Sequence, residues 1–340
     1  WQTGRMTLDE TFRTLPESFE TAATSPALDP AAFETVVCVP TFKRPEMLAA
    51  TLASLAAQDI DRPFAVIVVE NEATERAGAG VAAALMARGL LKGIVLVEPR
   101  QGNCKAYNAA WRCALKRFPN LRHVCGIDDD ETASPGWLRH LIEAAERSGA
   151  DIVGGSVATI VEDPEGERYR GHPIFRSHYD ASGPAPIIYS SANYLIRREV
   201  IAESPFPFLD EAFVFSGGGD TDFFTRASAR GIRFHWAQEA QVTEVMPRRR
   251  TERDWISARG YRNGIISALI ARKADPSFAG TLKRLGKTGA LLAAAPFRSL
   301  LLGMREGSML VGLYHLQVAI GRVMAEFGLS IEQYRKPEKN

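Results

Sequence analysis

A short apolar run that ends in four consecutive acidic residues constrains this chain more than any other feature. Residues 123–127 have the pattern of a buried strand, and residues 128–131 follow as a loop. In open α/β sheets, ligands bind beyond the carboxyl ends of the strands. Because neighbouring carboxylates raise each other's pKa, a divalent cation such as Mg²⁺ or Mn²⁺ is the natural partner. The alternative is a solvated acidic turn before the helix that we expect at 134–147.

Apolar strands alternate with amphipathic helices before this loop. The alternation predicts a doubly wound α/β fold with a mostly parallel central sheet flanked by helices. No GxGxxG follows the first strand, which argues against a dinucleotide-binding domain. The polar residues 7–33 are expected to form a loosely structured lead-in. The predicted strands are 35–40, 64–69, 93–97 and 122–127, and the predicted helices are 46–58, 74–88 and 106–118.

The bulk composition excludes several classes of protein. Of the 340 residues, 46% are apolar and 24% are charged, as in a soluble globular protein. A formal net charge of +1 gives no global attraction to nucleic acid. The four cysteines have no CxxC spacing, so we expect buried free thiols and a reducing, cytoplasmic location. We find no apolar leader and no apolar run of about 18 residues that could span a membrane.

A glycine-rich turn is the second feature with chemical meaning. Residues 216–219 precede Asp220 and Asp222, and three glycines let the backbone approach a ligand closely. The alternative is a turn in which Asp220 caps a helix that we expect at 223–229. Upstream, we predict a strand at 151–157, a loop at 162–186 and a further strand within 187–196.

The last third of the chain is basic and then amphipathic. Residues 246–287 contain eleven Lys or Arg and three Asp or Glu. This excess suits a diphosphate held between metal and guanidinium groups; the alternative is attraction to anionic lipid or a solvated face. Residues 285–327 have the pattern of amphipathic helices, for which we favour a core or interface role ahead of a membrane-surface anchor. The charged tail 333–340 is expected to fray.

Taken in order, these blocks resemble the inverting family 2 glycosyltransferases with the GT-A fold. The Val-Val-Cys-Val-Pro-Thr-Phe-Lys-Arg-Pro segment resembles the family's first nucleotide-binding strand and loop, and Arg-Gln-Gly-Asn-Cys-Lys-Ala-Tyr-Asn its second nucleotide loop. Asp-Asp-Asp at 128–130 is similar to the DxD metal motif, and Ser-Gly-Gly-Gly-Asp-Thr-Asp at 216–222 to the block that holds the catalytic base. The resemblance covers roughly residues 35–265, and within the family the chain resembles the non-processive bacterial exopolysaccharide transferases of the succinoglycan type.

The resemblance implies a reaction and a set of roles. A UDP-hexose donor, Mn²⁺ or Mg²⁺, and a glycan or lipid-linked oligosaccharide acceptor would give one β-linkage. The implied base is Asp220, with Asp222 as the competitor. The implied metal ligands are Asp130 and Asp128, with Glu244 as a further candidate. The implied nucleotide contacts are Pro40, Thr41, Arg44, Glu70, Arg100, Asn103, Lys105, Asp128 and Asp129, and the implied acceptor or phosphate contacts are Asn193, Gly218, Gly219, Arg250 and Trp255.

The resemblance also predicts the organisation of the chain. The GT-A domain is expected at 34–265, after the lead-in at 1–33 and before a helical extension at 266–340. Through that extension we expect peripheral association with the cytoplasmic face of the inner membrane, or a homodimer. Without membrane-spanning segments, transfer of a single sugar is favoured over processive synthesis.

Two departures keep other functions open. Glu70 stands where the family has Asp, and Gly219 where it has Glu. A sugar nucleotidyltransferase shares this α/β plan, but the loop after the first strand matches one poorly. A non-catalytic sugar-nucleotide-binding protein is the other alternative, and Gly219 favours it.

Overall fold

The computed structural model describes residues 16–189 and 192–332, which group into two compact units. The sheet unit contains the described residues up to 158 together with 178–214 and 219–244. The helical unit contains 159–177, 215–218 and the described residues from 245 onwards.

A mixed sheet organises the first unit. Its centre is the parallel set β4-β3-β2-β5, and β1 and β9 pair antiparallel at either side of this set. Beyond β9 the order continues β7-β10-β6, with β8 paired to β10. The strands are β1 (Glu20–Thr24), β2 (Thr35–Thr41), β3 (Phe64–Glu70), β4 (Gly93–Val97), β5 (His123–Ile127), β6 (Glu131–Ala133), β7 (Ile152–Val161), β8 (Gly183–Ala185), β9 (Asn193–Arg197) and β10 (Phe234–Met246).

Helices cover the sheet and build the second unit. The first six belong to the sheet unit and the last four to the helical unit. They are α1 (Pro45–Ala56), α2 (Ala77–Ala87), α3 (Asn103–Arg117), α4 (Trp137–Ser148), α5 (Arg198–Ala202), α6 (Gly219–Ala229), α7 (Arg253–Ala274), α8 (Phe278–Glu306), α9 (Met309–Gly312) and α10 (Tyr314–Glu326). Short 3₁₀ turns occur at Pro30–Ala32, Pro164–Tyr169, Glu211–Phe213 and Arg248–Thr251. The predicted α/β class with C-terminal helices is confirmed.

Burial on both faces explains the apolar sequences of the central strands. Every residue of β2, β4 and β5 is buried, which is typical of parallel strands covered by helices on each side. One side of the core receives Leu48, Leu52 and Leu55 of α1, whose spacing places them on one helical face. All four cysteines are free and buried, as expected.

Several elements differ from the prediction. The described part of the lead-in contains β1, which pairs with β4, so it is not loosely structured. Part of the acidic segment is a strand, β6, paired with β10. Helix α3 begins at Asn103 and α6 at Gly219, three and four residues before the expected starts. The N-terminal part of the lead-in and the tail 333–340 lie outside the described residues.

Close backbone contact between α7 and α10 organises the helical unit. A Cβ at Gly264 would lie 2.1 Å from the carbonyl oxygen of Val318, and one at Gly321 would lie 2.0 Å from that of Tyr261. Only glycine allows helices to approach this closely. None of the described helices combines the length and apolarity needed to cross a membrane.

Candidate active site

The acidic loop is held by the loop after the neighbouring strand. Because β2 and β5 are parallel neighbours, their carboxyl ends meet at one edge of the sheet. The Asp129 carboxylate accepts from Thr41 Oγ1 at 2.8 Å, from the Phe42 amide at 3.3 Å and from Arg44 Nη1 at 3.1 Å. The same Arg44 nitrogen contacts Asp130 at 2.9 Å. Predicted nucleotide-loop residues and acidic residues therefore form one network.

The other two acids contact different elements. Tyr107 of α3 donates its hydroxyl proton to Asp128 Oδ1 at 3.0 Å, and Glu131 accepts from the Asp128 amide at 3.1 Å. On β10, Glu244 lies directly opposite Glu131 in the strand register. The structure thus brings Glu244 to the acidic loop although the two are far apart in sequence.

Negative charge accumulates in this network. Burial, together with Asp130 and Asp129, raises the pKa of Asp128 to about 7. Burial first, and then Asp128 and Asp130, raise the pKa of Glu131 well above its ordinary value. The pKa of Asp129 is also raised by burial, although Arg44 opposes the shift. Such shifts mean that the folded site disfavours its own ionisation unless positive charge is supplied.

This donor set fits a hard divalent cation. Carboxylate oxygens are the ligands that Mg²⁺ and Mn²⁺ prefer, and a cation would offset the raised pKa values. Within residues 16–189 and 192–332, no three His, Cys, Asp or Glu side chains converge as a complete ligand set. Magnesium commonly takes one or two carboxylates and obtains its remaining ligands from substrate phosphates and water. Asp128 and Asp130 suit that incomplete kind of site.

Helix α3 connects the acidic loop to the glycine-rich turn. Cys104 and Tyr107 lie three residues apart, so they occupy the same face, about 4.5 Å apart along the axis. A Cβ at Gly219 would lie 2.5 Å from Cys104 Sγ. Asp220 is the largest electrostatic influence on the raised pKa of the Cys104 thiol after burial. One turn of α3 therefore touches both candidate regions.

Asp220 and Asp222 have different surroundings at the start of α6. Asp222 is 2% exposed and its Oδ2 accepts from Arg226 Nε at 2.9 Å, one helical turn later. Arg226 also donates to the Phe208 carbonyl, so Asp222 belongs to an internal ion-pair network. Asp220 is half-buried, and its Oδ1 accepts from the Thr221 amide at 2.7 Å. The base assignment to Asp220 remains a prediction, and this difference favours it.

Comparisons with known proteins identify the family of the chain. The family model described as glycosyl transferase family 2 matches residues 36–204. The chain is 33% identical over 248 residues to the succinoglycan biosynthesis protein ExoM of Rhizobium meliloti (strain 1021). The match covers 69% of this chain and 74% of that protein. The chain belongs to glycosyltransferase family 2.

A solved structure supports the fold of this family 2 glycosyltransferase. The mannosyltransferase PcManGT from Pyrobaculum calidifontis, solved in complex with GDP-Man and Mn²⁺, is similar with a TM-score of 0.54 and 16% sequence identity. The similarity covers 93% of this chain and 92% of that one. At this identity the likeness shows the GT-A fold alone.

Several predicted nucleotide contacts of the family 2 enzyme are engaged within the protein. The buried Glu70 carboxylate accepts from the amides of Glu72, Gly78 and Ala79, so it caps the start of α2. Arg100 forms an ion pair with Glu98 at 3.0 Å. These side chains shape the loops around the site, and their contact with a nucleotide remains a prediction.

The remaining nucleotide candidates lie on the same side of the sheet unit. Pro40 is buried near the end of β2, in register with Val69 of β3. Asn103 and Lys105 are in the first turn of α3, Asn103 exposed and Lys105 half-buried. Their helix is the one that contacts both Asp128 and the Gly219 turn.

The acceptor-side candidates do not share one environment. Asn193 is buried, donates to the Ser156 and Ala240 carbonyls and accepts from Trp137 Nε1. Gly218 has φ +97°, a conformation that favours glycine, and a Cβ there would lie 2.6 Å from Ile266. In the helical unit, Trp255 stacks on Phe175 with ring centroids 6.1 Å apart, and Arg250 lies in the 248–251 turn.

Sequence reasoning missed side chains whose roles depend on tertiary contacts. Thr51 of α1 donates to the Glu131 carbonyl at 2.6 Å and contacts the Asp129 carbonyl at 3.0 Å, so it fixes the backbone of the acidic loop to α1. Tyr107 is the second case, because it contacts Asp128 directly. The available signal for Tyr107 was its place in the segment 100–108, which resembles the second nucleotide loop of the family.

Proposed function

We propose that the chain is an inverting, metal-dependent transferase that moves one hexose from a UDP-hexose to a hydroxyl group of a glycan or lipid-linked oligosaccharide. One observation carries the proposal: a single turn of α3 contacts both the acidic loop, through Tyr107, and the turn of Asp220, through Cys104. The name of the similar Rhizobium protein supports a role in bacterial exopolysaccharide synthesis.

On the donor side, the protein would orient the nucleotide and provide carboxylates that bind a cation. Asp128 and Asp130 would hold Mn²⁺ or Mg²⁺, with Glu244 as a further candidate, and the cation would neutralise the diphosphate. Mn²⁺ in the mannosyltransferase structure supports this choice. Thr41 and Arg44 both contact Asp129. Once the cation neutralises the acidic residues in place of Arg44, these two side chains would orient the nucleotide.

On the acceptor side, Asp220 would act as the general base. It would take the proton from the acceptor hydroxyl while that oxygen bonds to the anomeric carbon from the face opposite the diphosphate. The bond from the anomeric carbon to the diphosphate breaks in the same step, and UDP leaves. A single displacement inverts the anomeric centre, so an α-linked donor gives a β-linkage.

A donor screen with product analysis tests the proposal. Thermal shift with UDP, GDP and dTDP, each with and without Mn²⁺, identifies the nucleotide; UDP-hexose turnover is then followed with candidate acceptors. We expect Mn²⁺-dependent stabilisation by UDP and release of UDP. Release of pyrophosphate would indicate a nucleotidyltransferase, and nucleotide binding without turnover on any acceptor would indicate a binding protein. The same screen with GDP-mannose tests the donor seen in the mannosyltransferase structure.

A further inference from the structure

Helix α8 is packed with its apolar side chains outward. The residues that it buries are small or polar: Gly280, Arg284, Thr288, Ala295, Ser299 and Gly303. Most of its large apolar side chains are exposed instead, and Phe278, Phe297 and Met304 are 80%, 66% and 63% exposed. This reverses the usual pattern of a surface helix, whose apolar stripe faces the core.

Six of the eight exposed large apolar side chains of the helix share one face, and the other two, Leu292 and Leu301, lie beyond its two edges. At 3.6 residues per turn, the six side chains fall within an arc of about 120° around the helix axis. All are exposed in the structure, and no charged residue falls within that arc. The members of this apolar face are Phe278, Leu282, Leu285, Phe297, Leu300 and Met304.

Basic residues flank the apolar face on one side. Lys283, Lys287 and Arg298 are exposed and fall within a neighbouring arc of about 60°. No Asp or Glu occurs between Phe278 and Arg305. An apolar face bordered by bases and free of acids is typical of a helix that lies in a membrane interface and is attracted by anionic lipid.

The charge pattern also decides between lipid and a second copy of the chain. Two apposed α8 helices would leave Lys283, Lys287 and Arg298 of each copy beside the seam, and the helix offers no Asp or Glu between Phe278 and Arg305 to pair with them. A second copy of α8 therefore provides no partner for these charges. An anionic lipid surface offers phosphate groups to the bases and hydrocarbon to the apolar face.

We propose that the apolar face of α8 docks the protein on an anionic membrane surface, with the helix axis parallel to the bilayer plane. The face would insert about 5–10 Å into the boundary between headgroups and acyl chains. This inference goes beyond glycosyl transfer and does not rest on it.

Vesicle flotation of the full chain tests the proposal. The probes are vesicles of phosphatidylcholine alone and of equimolar phosphatidylcholine and phosphatidylglycerol, without donor. Phe297→Ser/Leu300→Ser/Met304→Ser removes apolar contact at exposed positions, and Leu90→Ser is the matched change at an exposed leucine of the sheet unit. We expect binding to the anionic vesicles, weakened at least about tenfold by the triple substitution and unchanged in Leu90→Ser.

A charge variant separates the two components of binding. Lys283→Gln/Lys287→Gln should weaken binding to phosphatidylglycerol vesicles by about fivefold for each charge removed, with little effect on phosphatidylcholine. Absence of binding by the wild-type chain, or binding that the triple substitution leaves unchanged, would overturn the proposal. A wild-type dimer in sedimentation that the triple substitution dissociates, with no vesicle binding, would assign the face to a second copy. Each of these results is independent of transferase activity.

Discussion

The acidic loop at 128–131 and helix α8 depart from ordinary globular packing in opposite ways. The loop buries or half-buries carboxylates beside one another, and α8 exposes phenylalanine, leucine and methionine. Folding alone favours neither arrangement, because buried charge and exposed apolar surface both raise the free energy of the folded chain. The difference teaches that the sheet unit has a surface suited to a charged ligand, whereas the helical unit has one suited to lipid.

The largest expected effect separates chemistry from docking. Asp220→Asn keeps the size of the side chain but cannot accept a proton, so single-turnover transfer should fall by at least about 10²-fold. Donor affinity and vesicle binding should stay unchanged, because neither needs the base. The measurement is single-turnover transfer at equal donor occupancy.

Asp222→Asn is the matched variant for this test. It removes the charge of the buried partner in the ion pair with the half-buried Arg226, so we expect lower stability, by about 1–3 kcal/mol, with transfer retained in the folded fraction. Loss of transfer with donor binding intact in Asp222→Asn, together with an active Asp220→Asn, would move the base to Asp222.

Buried histidines give a pH test in each unit. Burial lowers the pKa of His123 in the sheet unit and of His172 in the helical unit to about 4. The pKa of histidine in the unfolded chain is near 6.5. Between about pH 6.5 and pH 4, the unfolded chain therefore binds more protons than the folded chain. The stabilising contribution is complete above about pH 6.5 and is lost as pH falls toward 4, by about 1–3 kcal/mol per histidine.

Denaturation followed between pH 7 and 4.5 checks this prediction. Each of the variants His123→Gln and His172→Gln should show a smaller fall in the free energy of unfolding on acidification. His123→Gln reports on the unit with the acidic loop, and His172→Gln on the unit with α8. Variants that lose stability with the same pH slope as the wild-type chain would contradict the assignment of these groups.

The contact between Gly219 and Cys104 should give an effect no larger than that of one histidine. A Cβ at position 219 meets Cys104 Sγ, so Gly219→Ala should lower the free energy of unfolding by about 1–3 kcal/mol through overpacking. Cys104→Ala should relieve most of that loss, whereas Cys113→Ala, also buried on α3, should not. A double-mutant cycle from urea unfolding measures both pairs, and equal coupling for the two cysteines would refute the steric explanation.

The same contact explains a departure from the family pattern. Where the resemblance leads one to expect Glu, the space beside Gly219 is taken by Cys104. The exchange of Glu for Gly therefore fits the packing of this chain and does not by itself indicate a protein without activity.

Local pattern allowed much of the sheet unit to be predicted. Strands β2 to β5 are continuous apolar runs because helices cover both faces, and the acids that follow β5 stand out against such a run. Strands β6 and β10 were missed, because antiparallel strands with a polar face, such as β10 with Glu239 and Glu244, lack that signal.

Tertiary contacts determine which side chains meet in the site and which face of a helix is covered, and neither could be predicted from the sequence. The carboxylates of the site were recognisable by residue type, but the contact of Tyr107 with Asp128 requires that α3 pack against β2 and β3, next to the strand that Asp128 follows. The amphipathic pattern of α8 was recognisable too. The exposed apolar face does not fit a core role, whereas the interface role stays a prediction. Periodicity shows that a helix has two faces, and only packing shows which one is covered.

The central claim is that the acidic loop binds a nucleotide through a divalent cation. Calorimetric titration of UDP into the wild-type chain, Asp130→Ala and Asp59→Ala, each with and without Mn²⁺, tests it most directly; Asp59 is an exposed aspartate of the same unit. We predict Mn²⁺-dependent binding by the wild-type chain and by Asp59→Ala, and its loss, by at least about tenfold, in Asp130→Ala. Unchanged UDP affinity of Asp130→Ala in Mn²⁺ would contradict the claim.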